Sequence, residues 1–198
     1  MRRIVLTEFP SLDGVMEEPR WTFDFDRGAE GDKFKYDELF DSEALLLGRV
    51  TYAGFAAAWP SMDGDDFGKR MNSIQKYVVS ATLTDAEATW GDTTVIRGDV
   101  VAEVTRLKAE PGGDLLVEGS SQLARTLIQH GLVDEYRLMV FPVILGAGKR
   151  LFPDAMSEPA RLALTSSSTV GSGVQLLPPP GGGRAPVSRP VRPEGETR

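Results

Sequence analysis

Short apolar runs alternate with amphipathic stretches along most of this chain. The runs are rich in β-branched and large apolar residues, as buried strands are, and the stretches between them repeat apolar residues at helical spacing. The predicted strands are residues 3–8, 44–47, 76–80, 93–96, 115–117 and 133–143. The predicted helices are residues 32–41, 49–60, 100–110 and 120–131. This alternating order predicts an α/β fold with parallel strands.

The C-terminal part of the apolar pattern predicts a hairpin. Residues 160–169 and 174–177 alternate apolar and polar positions, and Gly171-Ser172-Gly173 between them is a turn sequence. We therefore expect two antiparallel strands to close the sheet.

The unit at residues 114–152 organises the rest of the prediction. An apolar run ends at Gly119, after which Ser120 and Ser121 can cap a helix that stops at Gly131. The helix N-terminus then lies at the carboxyl end of a strand. Unpaired backbone amides and a partial positive charge make that position favourable for a phosphate.

The composition is that of a globular domain. The chain is 41% apolar and 26% charged, with a net charge of −7 that argues against nucleic-acid binding. Its longest apolar runs are far shorter than the ~20 residues that a membrane-spanning helix needs. No signal-peptide pattern follows Met1. We therefore expect a cytoplasmic protein that acts on a small molecule.

Cysteine is absent and His130 is the single histidine, which limits the available chemistry. Thiol nucleophiles, disulfides and multi-histidine metal sites are excluded, so no metal is predicted. His130 sits in the last turn before Gly131, where a cation complements the helix dipole. We favour this capping role over catalysis.

The composition changes at residue 178. Residues 178–198 are rich in proline, glycine and arginine and carry almost no large apolar side chain. We predict one domain over residues 1–177, followed by a disordered tail.

Three places where a strand is followed by a turn or a helix start recur along the chain. They are residues 47–52, 79–82 and 117–121. Each alone is a weak indication of phosphate binding, but in a parallel sheet all three converge at the carboxyl edge, where open α/β folds bind ligands. A dinucleotide carries several phosphates and suits such a set.

These motifs resemble the dihydrofolate reductase-like superfamily. The similarity is closest to the C-terminal reductase domain of bifunctional riboflavin-biosynthesis deaminase-reductases and its stand-alone bacterial relatives. The matching segments are SLDG (11–14), LLLGRVTY (45–52), VVSAT (78–82), EGSSQL (118–123) and GLVDEYRLMVFPVILGAGKRLF (131–152). The resemblance implies a central, mainly parallel sheet flanked by helices, NADPH-dependent hydride transfer, and a homodimer.

The resemblance also implies roles by position. Gly48, Arg49 and Thr51 would lie at the cofactor, and Arg49, Ser80 and Thr82 near its 2′-phosphate. A guanidinium and two hydroxyls suit a dianionic phosphate. The pyrophosphate-binding helix start would comprise Gly119, Ser120, Ser121, Gln122 and Leu123.

Two features limit what the resemblance implies. Glu118 places a carboxylate beside the proposed phosphate site. The Cys/Cys/His signature of the zinc deaminase half is missing, so this chain alone does not perform both steps of the bifunctional enzymes.

The turn at residues 11–14 places Asp13 at the carboxyl edge, beside a loop that carries Trp21 and Phe23. The aromatic rings can stack on a flat heterocyclic substrate, and Asp13 is the candidate catalytic residue, bonding a ring N–H or orienting a water. Alternatively, Asp13 is a turn residue that bonds nearby backbone. Asp32 is the second candidate for proton delivery. For residues 146–149 we favour a tight loop with a solvated lysine.

Two functions remain open from the sequence. The leading hypothesis is an NADPH-dependent reductase of a pteridine- or ribosylaminopyrimidine-like heterocycle. The alternative is a catalytically silent homodimer that binds a nucleotide for sensing. A Rossmann dehydrogenase is a poorer hypothesis, since no Gly-x-Gly-x-x-Gly follows the first strand.

Overall fold

The computed structural model describes residues 1–152, 161–164 and 166–177. Within them the strands are β1 (Ile4–Glu8), β2 (Ser42–Gly48), β3 (Gln75–Val79), β4 (Thr93–Ile96), β5 (Asp114–Glu118), β6 (Glu135–Val140), β7 (Ser168–Val170) and β8 (Val174–Leu177). The helices are α1 (Gly28–Asp41), α2 (Arg49–Ala58), α3 (Asp66–Ser73), α4 (Val100–Ala109) and α5 (Ser121–Gln129). Two 3-10 turns cover Pro19–Asp24 and Trp59–Ser61.

The described strands form a single sheet in the order β4-β3-β2-β5-β1-β6-β8-β7. Neighbouring strands from β4 to β6 pair in parallel, and β8 then pairs antiparallel with both β6 and β7. β1 lies between β5 and β6, with Thr7 opposite Glu118 on one side and Arg137 on the other. The α/β fold with a mainly parallel sheet and an antiparallel C-terminal hairpin is therefore confirmed.

Helices cover both faces of the sheet. On one face α4 and α5 pack on alternate strand residues such as Leu6, Leu46 and Val117. On the other face α2 and α3 pack on Leu47, Val78 and their neighbours. All five residues of β1 are buried, since the strand is central and covered on both faces.

Helix α1 buries two charged side chains together with its apolar residues. Its buried positions are Gly31, Phe34, Lys35, Glu38 and Leu39, which follow helical spacing. Phe40 is exposed and stacks on Tyr36 with ring centroids 4.2 Å apart. Charged residues therefore interrupt the apolar stripe of α1. The helix also begins earlier than predicted, at Gly28 rather than near Asp32.

The hairpin is shorter than the alternating pattern predicted. Its first strand covers only Ser168–Val170, and residues 161–164 lie outside any strand. The turn at Gly171 has the expected positive φ of 49°. Residues 153–160, residue 165 and the predicted tail at 178–198 lie outside the described residues. In the part of the chain that is described, no helix is long and apolar enough to cross a membrane.

Candidate functional site

A cavity of about 1370 Å³ opens at the carboxyl edge of the sheet. The ends of β1, β2, β3 and β5 and the first turns of α2 and α5 line it, so the three strand-end segments converge there. Every cofactor-binding residue implied by the resemblance lies on its wall. They are Gly48, Arg49, Thr51, Ser80, Thr82, Gly119, Ser120, Ser121, Gln122 and Leu123.

Hydrogen bonds join the starts of α2 and α5 beside this cavity. The backbone N–H of Gly48 donates to Ser120 Oγ at 2.8 Å, and the backbone N–H of Ser120 donates to Thr51 Oγ1 at 2.9 Å. Gly119 and Ser120 both have positive φ angles, 61° and 63°. A Cβ on Gly119 would lie 3.1 Å from the side chain of Thr51, so the close approach of the two segments needs glycine.

Two helix N-termini therefore face the same cavity. Neither Gly48, before α2, nor Ser120, before α5, caps its helix with a side chain. The first turns of both helices line the cavity, and their backbone amides supply donors and a partial positive charge. This arrangement suits a ligand that carries more than one phosphate.

Arg49 supplies a further positive charge at this end. Its side chain is exposed and makes no ion pair with any residue that the structure describes. Ser80 is buried, and its Oγ accepts hydrogen bonds from the backbone N–H groups of Thr82 and Leu83 at 3.1 and 2.9 Å. These bonds shape the loop after β3 and leave the exposed Thr82 on the cavity wall.

The part of the cavity wall at the ends of β1 and β5 is acidic. Thr7, Glu8, Lys35 and Glu118 line it, and Glu38 lies behind them. Lys35 pairs with Glu38 and also with Glu118, at 3.0 Å. Thr7 Oγ1 donates to Glu38 Oε1 at 2.9 Å. Three carboxyl groups are thus grouped around one ammonium group.

Burial sets the ionisation of this group. Glu8 is only 6% exposed, and burial together with the nearby Glu118 carboxylate raises its pKa well above the usual value. Burial also raises the pKa of Glu38, while the adjacent Lys35 lowers it. Burial lowers the pKa of Lys35, but Glu118 and Glu38 outweigh it, so the pKa is raised and Lys35 is charged.

Glu8, Lys35 and Glu38 are not among the site residues predicted from the sequence. Glu8 ends β1 after the apolar run Ile4-Val5-Leu6, and a carboxylate at the end of a buried strand is the indication that the sequence offers. Lys35 and Glu38 are three residues apart, so a helix brings them to one face. Because both are charged, the sequence suggests that this face points to solvent.

The aromatic residues of the preceding loop are placed differently from the expectation. Trp21 packs edge-to-face on Phe141, with ring centroids 5.5 Å apart, and Phe23 is 86% exposed. Neither lines the cavity. Phe9 does line it, and the ammonium group of Lys35 lies 4.9 Å from its ring centre.

Asp13 lies in the predicted turn but outside the cavity wall. Its carboxylate accepts hydrogen bonds from Ser11 Oγ at 2.7 Å and from the backbone N–H groups of Leu145 and Gly146 at 3.1 and 2.9 Å. These bonds lower the pKa of Asp13 to about 2. The contacts fit the alternative in which Asp13 holds the turn; the catalytic role stays a prediction.

Asp32, the second candidate proton donor, is exposed and pairs with Arg27 at 2.9 Å, away from the cavity. His130 is the exposed C-cap residue of α5, and it too lies off the cavity wall. Lys149 is 64% exposed and pairs with Glu17 at the cavity rim. The described residues contain no group of three or more His, Asp or Glu side chains placed to hold a metal ion.

The sheet order, the flanking helices and the cavity at the carboxyl edge define an α/β domain of the dihydrofolate reductase-like type. The chain belongs to the RibD C-terminal domain family, whose family model matches residues 2–176. The predicted family is therefore confirmed.

Comparison with known proteins agrees with this assignment. The uncharacterized protein YyaP of Bacillus subtilis (strain 168) is 33% identical over 182 residues, covering 87% of this chain and 92% of that protein. A putative riboflavin biosynthesis protein from Shewanella sp. PV-4 has a TM-score of 0.71 at 21% identity, over 88% of this chain and 96% of the other.

A more distant structure has a reductase activity in its name. It is the Thermotoga maritima diaminohydroxyphosphoribosylaminopyrimidine deaminase/5-amino-6-(5-phosphoribosylamino)uracil reductase, with a TM-score of 0.57 at 16% identity, over 89% of this chain and 56% of the other. At this identity the similarity shows the fold alone.

Proposed function

We propose that the protein is an NADPH-dependent reductase of a small nitrogen heterocycle, pteridine- or pyrimidine-like. The family and the reductase name of a structural relative support a reductase. The observation that carries the proposal is that two helix N-termini without side-chain caps meet Arg49 on one cavity wall, and that Arg49 makes no ion pair among the described residues.

The phosphate end fits a dinucleotide phosphate. The first-turn amides of α5 would bind the pyrophosphate, since Gly119 lets that backbone approach closely. Arg49 would bind the 2′-phosphate, with the hydroxyl groups of Ser80 and Thr82 as further donors. This phosphate distinguishes NADPH from NADH, so Arg49 is the residue that would discriminate between them.

When bound, the reduced dinucleotide supplies a hydride. The protein contributes binding, orientation and a proton. A flat heterocycle would bind in the same cavity, against the aromatic surface that the ring of Phe9 supplies on its wall.

Turnover separates the proposal from the alternative in which the fold only binds a nucleotide. The parent protein is mixed with NADPH and a panel of dihydropteridines and ribosylaminopyrimidines, and the loss of NADPH absorbance is followed. A reductase consumes NADPH with at least one member of the panel. Saturable NADPH binding without consumption across the panel would instead support the silent, nucleotide-binding protein.

We also propose that the protein is a homodimer, as the family resemblance implies. Leu12 and Ile144 support this, because they are 65% and 72% exposed and lie on loops joined by the bond from the Leu12 N–H to the Val143 carbonyl oxygen. Light scattering gives the mass in solution. A mass of one chain at micromolar concentration would contradict the dimer.

A further inference from the structure

Helix α1 carries two aromatic side chains on its outer face. Tyr36 and Phe40 stack with their ring centroids 4.2 Å apart and their planes at 13°, and they remain 40% and 41% exposed. They are one helical turn apart, and a pair at this spacing stabilises its own helix only weakly. Two adjacent exposed rings form a flat apolar surface, which is a feature of binding sites.

The charge beside this aromatic pair is negative. Asp41 follows Phe40, is exposed, and makes no ion pair with any residue that the structure describes. Both lysine residues of the helix are already paired with carboxylates, Lys33 with Asp37 at the surface and Lys35 inside the protein. A cationic group that approaches the aromatic rings therefore finds the carboxylate of Asp41 available.

The end of the chain has a matching chemistry. Residues 189–193 read Arg-Pro-Val-Arg-Pro, so arginine and proline each repeat after three residues. The polyproline II conformation, which proline favours, has three residues per turn. In that conformation Pro190 and Pro193 share one edge, and Arg189 and Arg192 share the next. Proline-rich segments bind to exposed aromatic side chains in this way, and arginine binds carboxylates.

The chain is long enough to bring this segment to α1. In the order β8-β6-β1-β5-β2, the lateral distance from β8 to β2 is about 19 Å at ~4.8 Å per strand. β8 ends at Leu177 and is antiparallel to β6, so it runs toward the sheet edge at which β2 begins, directly after Asp41. Residues 178–188 span up to about 35 Å when extended, which covers this distance.

We propose that residues 189–193 dock on the outer face of α1, with proline on the stacked rings of Tyr36 and Phe40 and arginine on Asp41. The segment has almost no large apolar side chain with which to fold alone, so it needs a surface to bind. Because segment and face belong to one chain, their effective concentration is on the order of mM, and a weak contact is sufficient. The docking does not depend on the proposed reductase activity.

A spin label on the full chain tests the position of the segment. The chain contains no cysteine, so Ser188→Cys provides a single labelling site. The label should broaden the amide NMR signals of residues 37–41 and leave those of α4 sharp, since α4 packs on the other face of the sheet. Tyr36→Ser/Phe40→Ser should remove the broadening, and Phe23→Ser, an exposed aromatic position outside α1, should keep it. Sharp signals for residues 37–41 in the labelled parent would overturn the proposal.

A fluorescein-labelled peptide of residues 184–194 tests whether the chain's own segment occupies the face. In the full chain, Pro190→Ala/Pro193→Ala should release the segment and let the peptide bind. For a segment at ~1 mM and a site with a Kd of ~0.1 mM, this variant should bind the peptide about tenfold more tightly than the parent. The control Pro178→Ala/Pro179→Ala should behave as the parent. Equal affinities of variant and parent, or no binding to either, would contradict the docking.

The contact with arginine is tested in the same released protein. Adding Asp41→Asn should weaken peptide binding by up to about fivefold, with a smaller effect at high salt, as expected for an exposed ion pair. Glu30→Gln, which changes an exposed carboxylate in the first turn of α1, should have no effect. Unchanged affinity in the Asp41→Asn protein would contradict the assignment of Asp41.

A second copy of the chain is the other candidate occupant of this face. Light scattering should give the same mass for the parent and for Tyr36→Ser/Phe40→Ser, because the face binds the protein's own segment. A lower mass for the variant would show an interface between copies and overturn the proposal. Mixing spin-labelled chains with isotope-labelled chains that lack the spin label should leave all signals sharp. Broadening of residues 37–41 in that mixture would place the segment on another copy and contradict docking within one chain.

Discussion

The backbone N–H of Ser120 donates a hydrogen bond to Thr51 Oγ1 at 2.9 Å, which joins the start of α5 to the first turn of α2. Ser120 holds a left-handed conformation, with a φ of 63°. The bond thus fixes a strained segment at the wall where the proposed cofactor phosphates bind.

Replacing Thr51 tests this contact. Thr51→Val keeps the shape of the side chain and removes the acceptor, so we expect the free energy of unfolding to fall by about 1–3 kcal/mol. Thr51→Ser keeps the hydroxyl group and should lie much closer to the parent. Urea denaturation measures both, and equal losses in the two variants would show that the hydroxyl group does not matter.

Gly119 has both a positive φ, 61°, and close contact with Thr51. Gly119→Ala should therefore lower the free energy of unfolding by about 1–2 kcal/mol from the backbone conformation alone. Gly119→Val should in addition abolish cofactor binding, because the larger side chain prevents close approach of the pyrophosphate.

Gly54 provides the matched control. It lies within α2, with open space where a Cβ would stand. Gly54→Ala should be neutral or stabilising, since alanine favours helix over glycine. If both alanine variants behave alike in denaturation, the special geometry of Gly119 is contradicted.

The pH dependence of stability tests whether Asp13 has a structural role. Its pKa of about 2 lies below the usual 3.8, so the stability that it contributes is complete above about pH 4 and is lost as the pH falls through 2. We expect Asp13→Asn to melt below the parent at pH 7, with a difference that shrinks toward pH 2. Asp32→Asn, an exposed position, should show little change.

Turnover of Asp13→Asn decides between the two roles. A structural Asp13 lowers activity only in step with stability. Much slower turnover, with NADPH affinity and melting temperature close to the parent, would restore Asp13 as the catalytic residue.

Lys76, in β3, provides a second pH test. It is fully buried, its ammonium group donates to the Asn72 carbonyl oxygen at 2.7 Å, and burial lowers its pKa to about 8. The unfolded chain therefore binds more protons than the folded protein between about pH 8 and 10.5, and stability rises with pH there.

Lys76→Met removes this titration while keeping a similar volume. The melting temperature of the parent, measured relative to Lys76→Met, should rise as the pH increases from 8 to 10. A constant difference between the two proteins across that range would show that Lys76 titrates normally.

The fold and the convergence of the three strand-end segments on one cavity could be predicted from the sequence because their determinants are local. Each apolar run is contiguous, and each candidate phosphate site is a strand end followed within a few residues by a turn or a helix start. Parallel pairing then brings these segments to one edge, as Gly48, Ser80 and Gly119 demonstrate.

The acidic part of the cavity wall could not be predicted in the same way. Glu8, Lys35 and Glu118 come from three distant segments, and only the pairing of β1 with β5 and the packing of α1 bring them together. Trp21 is the converse case: an aromatic residue in a long loop suggested a ligand contact, but it packs on Phe141, which follows β6. Neither the acidic group nor the contact between Trp21 and Phe141 leaves a pattern in neighbouring residues of the sequence.

Arg49 is the residue that we propose recognises the 2′-phosphate of NADPH in the cavity at the carboxyl edge. The most direct test is a titration of parent, Arg49→Ala and the exposed surface control Arg106→Ala with NADPH and with NADH, followed by cofactor fluorescence. A charge-assisted contact contributes roughly 1.5–3 kcal/mol. We therefore expect Arg49→Ala to weaken NADPH binding by about one to two decades and to leave NADH binding nearly unchanged, and Arg106→Ala to change neither. Equal losses for the two cofactors in Arg49→Ala, or no change in either, would contradict it.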